Sequence, residues 1–202
     1  MSDTIDFWID LSSPYAYLAS ERIEDIAARH GRKVRWRPFM LGAVFKTEET
    51  KPLVFYPRKG KYSEMDLARS AREHGIPFRI PSKFPVPTVA ASRAFYAIED
   101  ASGHDAARDY ARAVFRAYYV DDRDISDAEV ALDIAGECGH DRAAVAEAIA
   151  SPEIKAKFKE ATDTAIEELG IFGAPFIIVD GEAFWGNDRL EMVDRWLERG
   201  GW

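Results

Sequence analysis

The sequence predicts an α/β fold in which strands from the two ends of the chain form one sheet and a long run of helices is inserted between them. Three observations predict it. The opening segment reads β-α-β, the middle reads as helix after helix, and the last segment reads β-β-α. With 202 residues, 47% of them apolar, the chain is long enough for a packed core and too apolar for disorder.

From Thr4 to Asp10, Ile5, Phe7 and Ile9 alternate with Asp6, Trp8 and Asp10, which is the two-residue period of a strand. Ser12-Ser13-Pro14 then offers a hydroxyl cap followed by proline at the first helical position. Tyr15, Leu18, Ala19, Ile23, Ile26 and Ala27 keep one helical stripe, predicting a single helix to about Arg29. Lys33 to Arg37 alternates again and predicts a second strand.

The middle predicts six helices, over 63–73, 89–101, 105–120, 127–138, 142–150 and 152–169. Ser63 with Asp66 and Ser126 with Glu129 have capping-box spacing, and Ser151 stands before Pro152. Beyond Gly170, the apolar run Phe176 to Val179, the turn Asp180-Gly181 and the segment Ala183 to Trp185 predict a hairpin. Gly186-Asn187-Asp188 is read as the cap of a final amphipathic helix. The domain boundaries expected are 1–60 with 170–202 for the split α/β unit, and 61–169 for the helical insertion.

Charge and composition exclude several classes of function. A net charge of -8, with no long basic run, argues against a nucleic-acid surface. The longest uncharged stretch, Leu169 to Val179, is far too short to cross a bilayer, which takes roughly 20 residues. Met1-Ser2-Asp3-Thr4 has no basic flank, so no secretory signal is expected and a cytoplasmic location is. The single cysteine, Cys138, excludes an internal disulfide, a Cys-x-x-Cys redox pair and a thiolate zinc cluster. The four histidines lack metal-ligand spacing and are read as solvated residues near helix ends, so no metal is expected.

Phe7-Trp8-Ile9-Asp10-Leu11-Ser12-Ser13-Pro14-Tyr15-Ala16-Tyr17-Leu18-Ala19 resembles the opening of the 2-hydroxychromene-2-carboxylate isomerases and kappa-class glutathione transferases. Both belong to the DsbA-like thioredoxin superfamily. The segments Trp36 to Lys46, Tyr56 to Tyr62, Gly170 to Pro175 and Phe184 to Leu190 resemble the same family in the same order. The resemblance implies a thioredoxin-like fold with a large all-helical insertion, glutathione as cofactor, a small aromatic substrate and a homodimer.

It also implies roles for particular residues. Ser13 takes the place of the redox cysteine and is assigned to the sulfur of glutathione. The residue type suits that task, because a hydroxyl at a helix start can donate to an anion where backbone N–H groups already point. Lowering a thiol pKa from about 8.5 by about two units raises the thiolate population at pH 7 by roughly 20-fold, under about 2 kcal/mol. Orientation must therefore supply the larger part of catalysis. Ser12 is the competing hydroxyl, but the family places its serine directly before the proline.

Pro175 stands where the superfamily carries a cis-proline, which would turn the Ala174 backbone toward the cysteinyl segment of glutathione. Asn187 and Asp188 match the pair that receives the γ-glutamyl end. Lys59 matches the kappa-class lysine for the glycyl carboxylate, and Thr50 falls where that class often has asparagine. Lys46 resembles a lysine near the substrate. Trp8, Phe39, Phe45, Tyr62, Phe84 and Trp185 are candidates to wall a flat substrate. The resemblance implies reversible addition of the thiolate to the ring-opened substrate, rotation, and elimination. A kappa-like transferase that releases a thioether, and a non-catalytic glutathione- or partner-binding protein, are the competing readings.

Overall fold

The computed structural model describes residues 3–202; Met1 and Ser2, where the stretch read for a secretory signal begins, lie outside the described residues. Strand β1 (Thr4–Ile9) pairs in parallel with β2 (Lys33–Pro38), with Phe7 opposite Trp36. Strand β3 (Phe176–Val179) lies antiparallel on the other side of β1, and β4 (Glu182–Trp185) follows it by the predicted hairpin. The order β2-β1-β3-β4 joins the two ends of the chain in one sheet.

Both faces of that sheet are covered. Ile5, Phe7, Ile9, Ile177 and Val179 pack into the main apolar cluster together with the middle helices. Trp8 and Phe176 face the other way, onto a small cluster with Phe39, Val44, Ala165 and Ile171. Burial on both faces holds β1 between two apolar clusters, and the loop carrying Ser12 and Ser13 leaves its C-terminal end.

The predicted first helix is two, α1 (Pro14–Ser20) and α2 (Ile23–Arg29). The Ser20 hydroxyl donates back to the Tyr17 carbonyl at 2.7 Å, and Arg22 leaves helical geometry at φ -129°. Arg22 is anchored there by Glu191 at 2.5 Å. The sequence stripe is continuous across the break because α1 and α2 bury the same side. A further helix, α3 (Leu41–Thr47), was not expected, and a 3-10 turn, Leu53–Phe55, follows it.

Helix α4 (Pro57–Glu73) starts six residues before the expected Ser63. Ser63 is buried inside the helix and donates to the Gly60 carbonyl at 2.8 Å, so it caps nothing; proline at the first position sets the start. Helices α5 (Val89–Ser102) and α6 (His104–Tyr119) follow the expected pattern closely. Asp127, not Ser126, caps α7 (Ala128–Glu137), because Ser126 is engaged by Asp124. After α8 (Arg142–Ala150), α9 (Pro152–Asp163) begins on the expected Ser151 cap and widens into a π turn at Thr164–Glu168.

Asn187 and Asp188 do not cap the last helix. They sit in a 3-10 turn, Asn187–Arg189, without side-chain cap bonds, before α10 (Leu190–Arg199). His104 is more engaged than a solvated cap: the Trp36 N–H donates to its Nε2 at 3.1 Å, and its Nδ1 meets Glu99 at 2.9 Å. That pair of contacts fixes the tautomer with the proton on Nδ1.

Candidate active site

The site forms where β1 ends. The Ser13 N–H donates to the Asp10 carbonyl at 2.9 Å, which turns the chain, and Pro14 then starts α1. Ser13 is 5% exposed and caps α1, its Oγ accepting the Ala16 N–H at 3.2 Å. The same hydroxyl donates to the Ala174 carbonyl at 2.9 Å. The Ala174–Pro175 peptide bond is cis, and the Pro175 carbonyl accepts the Gly186 N–H at 3.0 Å. Ser13, Ala174, Pro175 and the turn holding Asn187 and Asp188 are thus linked through successive hydrogen bonds.

Several polar groups around Ser13 are without partners in the described chain. The Ala174 N–H donates to nothing, and neither does the Tyr15 N–H in the first turn of α1. The Asn187 side chain is 8% exposed and its amide makes no hydrogen bond among the described residues. The amide atoms of Asn187 are not sealed from solvent, so they stand open to a polar ligand at the rim of the site. The Asp188 carboxylate folds back over Gly186, where a side chain would stand 2.5 Å from Oδ1. Only glycine fits there, at φ 109°.

Tyr15 carries the site outward. Its phenol is pushed up to about 12 by burial, reinforced by the nearby carboxylate of Asp66 and, more weakly, by Asp188. It lines a cleft of about 380 Å³ with Leu53, Arg58, Lys59, Tyr62 and Ser63. Lys59 therefore opens onto the same cleft as Tyr15, with its ammonium 5.2 Å from the Tyr56 ring. Lys46, Lys51, Arg58, Lys59 and Lys61 enter no ion pair among the described residues, whereas the cations that flank them in sequence, Arg37 and Arg69, are both paired. With Glu48 and Glu49, which also enter no ion pair among the described residues, residues 46–61 carry a net charge of +3 in a chain of net charge -8.

Other expected residues stand apart. Thr50 is exposed between α3 and the 3-10 turn, its N–H bonded to the Phe45 carbonyl at 2.9 Å, and Lys46 is exposed on α3. No contact joins either to Ser13. Of the candidate aromatic residues, Trp8 and Phe39 are buried behind the sheet and Phe84 packs on Tyr118. Tyr62 and Trp185 are exposed. Phe172, unnoticed in the sequence, meets Trp185 edge-on at 4.7 Å beside Ala174, and Gly173 admits the indole where any Cβ would collide.

The sequence reading missed Asp10, Tyr15 and Arg58 as parts of the site, whereas Tyr62, a candidate for the substrate wall, does line the cleft. Asp10 carried a signal: an acidic residue at the end of a strand otherwise destined for burial.

Comparison with known proteins shows the fold and the family. The family model for the DSBA-like thioredoxin domain matches residues 4–198. The 2-hydroxychromene-2-carboxylate isomerase of Sphingobium xenophagum is 31% identical, over 98% of this chain and 99% of that protein. Human glutathione S-transferase kappa 1 is 25% identical, over 96% of this chain and 92% of that protein. A solved structure of a 2-hydroxychromene-2-carboxylate isomerase superposes with a TM-score of 0.87 at 27% identity, covering 97% of this chain and 95% of that one. The chain belongs to the DSBA-like thioredoxin family and, within it, to the family of the 2-hydroxychromene-2-carboxylate isomerases.

Proposed function

We propose that the protein is a glutathione-dependent isomerase that interconverts 2-hydroxychromene-2-carboxylate, or a close aromatic analogue, with trans-o-hydroxybenzylidenepyruvate. The observation that carries this reading is the Ser13 hydroxyl, buried at the start of α1 and hydrogen-bonded to the carbonyl before Pro175. The family relationship supplies the reaction type.

Glutathione, when bound, supplies a thiolate that adds reversibly to the unsaturated carbon of the ring-opened substrate and so permits rotation about a former double bond. The residues present fit such a cofactor. Ser13 Oγ keeps the Ala16 N–H as donor and turns its own proton from the Ala174 carbonyl to the sulfur, which needs only rotation of the hydroxyl hydrogen. That frees the Ala174 carbonyl to accept, beside its unpartnered N–H, so the two groups together suit the backbone of a cysteinyl segment added as a short strand.

Asn187 and Asp188 are assigned to the γ-glutamyl end, the amide gaining the partner that it lacks and the carboxylate meeting the ammonium. Lys59 is assigned to the glycyl carboxylate, and so is Thr50 on the strength of the family resemblance alone. Lys46 is assigned to the substrate carboxylate. The unpaired cations of residues 46–61 support an anionic ligand on this side of the molecule.

The test is to mix protein, glutathione and the chromene carboxylate and follow the ultraviolet spectrum. Glutathione-dependent interconversion is expected, and its absence rejects the assignment. The kappa-class relative favours one other reading, conjugation to an electrophile with the same residues. Product mass separates the two, since an isomerase adds none.

A further inference from the structure

Asp10 is a buried carboxylate whose bonds tie the Ser12-Ser13 loop to the start of α3 and to Thr88. It is 5% exposed and enters no ion pair among the described residues. Its Oδ1 accepts the Ser12 N–H at 2.8 Å and the Ser12 hydroxyl at 2.7 Å, with the Thr88 hydroxyl at 3.4 Å. Its Oδ2 accepts the Leu41 N–H, the first of α3, at 3.0 Å. Its backbone carbonyl holds the Ser13 N–H at 2.9 Å. The far side of the loop is held as well, because the buried Tyr119 hydroxyl donates to the Ser12 carbonyl at 2.6 Å.

A charge without a counter-ion in such a place is costly, and neutral donors offset the cost only while all of them remain aimed at it. A carboxylate accepts at both oxygens; no other side chain of this size does. An asparagine would present an amide N–H₂ to either Ser12 or Leu41, and one N–H would then face another donor. An apolar residue at this position would leave the Ser12 and Leu41 donors without an acceptor, so the fold needs a group that accepts on both sides.

We propose that Asp10 is a positioning residue for the Ser13 site: its carboxylate fixes the Ser12-Ser13 loop and the start of the helix carrying Lys46 in a single arrangement. This rests on the thiol-holding role proposed for Ser13. Asp10 does not help to ionise the thiol, since a negative charge nearby opposes a second one. Its contribution is orientation, and a small misplacement of reacting groups costs up to about 100-fold.

The titratable groups facing Asp10 are the phenols of Tyr118 and Tyr119 on α6, both raised by burial and therefore neutral through the working range. No lysine, arginine or histidine forms an ion pair with it among the described residues. Burial raises the carboxyl itself against the lowering pull of its donors. Protonating the carboxylate would take an acceptor from the loop, so turnover is expected to fall on the acid side as this group titrates. Removing one donor in Ser12→Ala leaves the carboxylate less stabilised, so its pKa rises and this acid limb moves to higher pH.

The experiment compares wild type, Asp10→Asn and Ser12→Ala for thermal melting, glutathione affinity, the ionisation of bound thiol by its ultraviolet absorbance, amide exchange at Ser12 and Leu41 without ligand, and turnover against pH. Asp10→Asn is expected to melt cooperatively, to lose amide protection at Ser12 or Leu41, and to turn over roughly 10- to 100-fold more slowly with thiol ionisation no weaker than in wild type. Unchanged turnover, or loss traced wholly to a raised thiol pKa, overturns the proposal. Should Asp10→Asn not fold, Ser12→Ala decides, because an unmoved acid limb contradicts it. If wild type neither binds glutathione nor shows turnover, the functional reading fails first and the proposal with it; a functional wild type with an indifferent Asp10→Asn sinks this proposal alone.

Discussion

The Ser13 hydroxyl donates to the Ala174 carbonyl at 2.9 Å, joining residues 161 apart in sequence. One bond thus ties the first helix to the segment entering the third strand, at the point where both chain ends contribute to the sheet. Ser13 has two duties that substitution can separate. As a cap it accepts one N–H, and as a site residue it offers one proton.

Replacing Ser13 with alanine removes both duties. Loss of the cap is expected to cost about 1 kcal/mol of stability, leaving a folded protein. Loss of the donor is expected to lower kcat by about 100-fold, on the scale seen when one preorganised donor is deleted from an anion site. Melting curves and turnover together check this. A variant with normal kcat contradicts the role given to Ser13.

Asn187→Ala tests the unpartnered amide. Since the side chain makes no hydrogen bond in the described chain, the substitution is expected to leave stability within about 1 kcal/mol of wild type. Glutathione affinity should fall about 10-fold, the worth of one good hydrogen bond. Calorimetric titration measures it, and equal affinity would show that Asn187 lies outside the cofactor site.

The main architecture was legible in the sequence because it depends on periodicity. Ile5, Phe7 and Ile9 reveal a strand, and the Ser13-Pro14 and Ser151-Pro152 pairs reveal helix starts. What stayed hidden depends on contacts between distant segments. Ser63 has the spacing of a cap yet lies inside α4, since Pro57 already starts that helix. Asp127 outcompetes Ser126 because Asp124 binds the serine first. The position of Ser13 could be named from its neighbours in sequence, whereas the bonds of Asp10 to Leu41 and Thr88 exist only after the sheet and helices have met.

Glu99 gives a prediction for stability against pH. Burial pushes its carboxyl up, but hydrogen bonds from His104 and Lys157, with the charges of Lys157 and Arg35, bring it down to about 2. A folded-state value below the unfolded one of about 4.3 means that the stabilisation is complete above that pH and is lost as pH falls toward about 2. Glu99→Gln should therefore cost on the order of 3 kcal/mol at neutral pH and nearly nothing near pH 2. Urea denaturation of both proteins across this range tests the sign; a difference that persists undiminished in acid contradicts it.

Gly173→Ala tests the aromatic surface beside Ala174. The added Cβ would lie 2.3 Å from Trp185 Nε1, so the indole must swing away from Phe172. A change in tryptophan fluorescence and a stability loss of about 1 kcal/mol are expected, within the range for overpacking a partly exposed site. An unchanged spectrum would mean that the indole does not rest on this glycine in solution.

The most direct measurement is the ultraviolet titration of glutathione thiol bound to the wild-type protein and to Ser13→Ala. The expected result is ionisation about two units below the free thiol value of about 8.5 in wild type, and a return toward that value in the variant. Coincident titration curves, or no binding of glutathione to the wild-type protein, would contradict the role of Ser13 as the group that holds the sulfur.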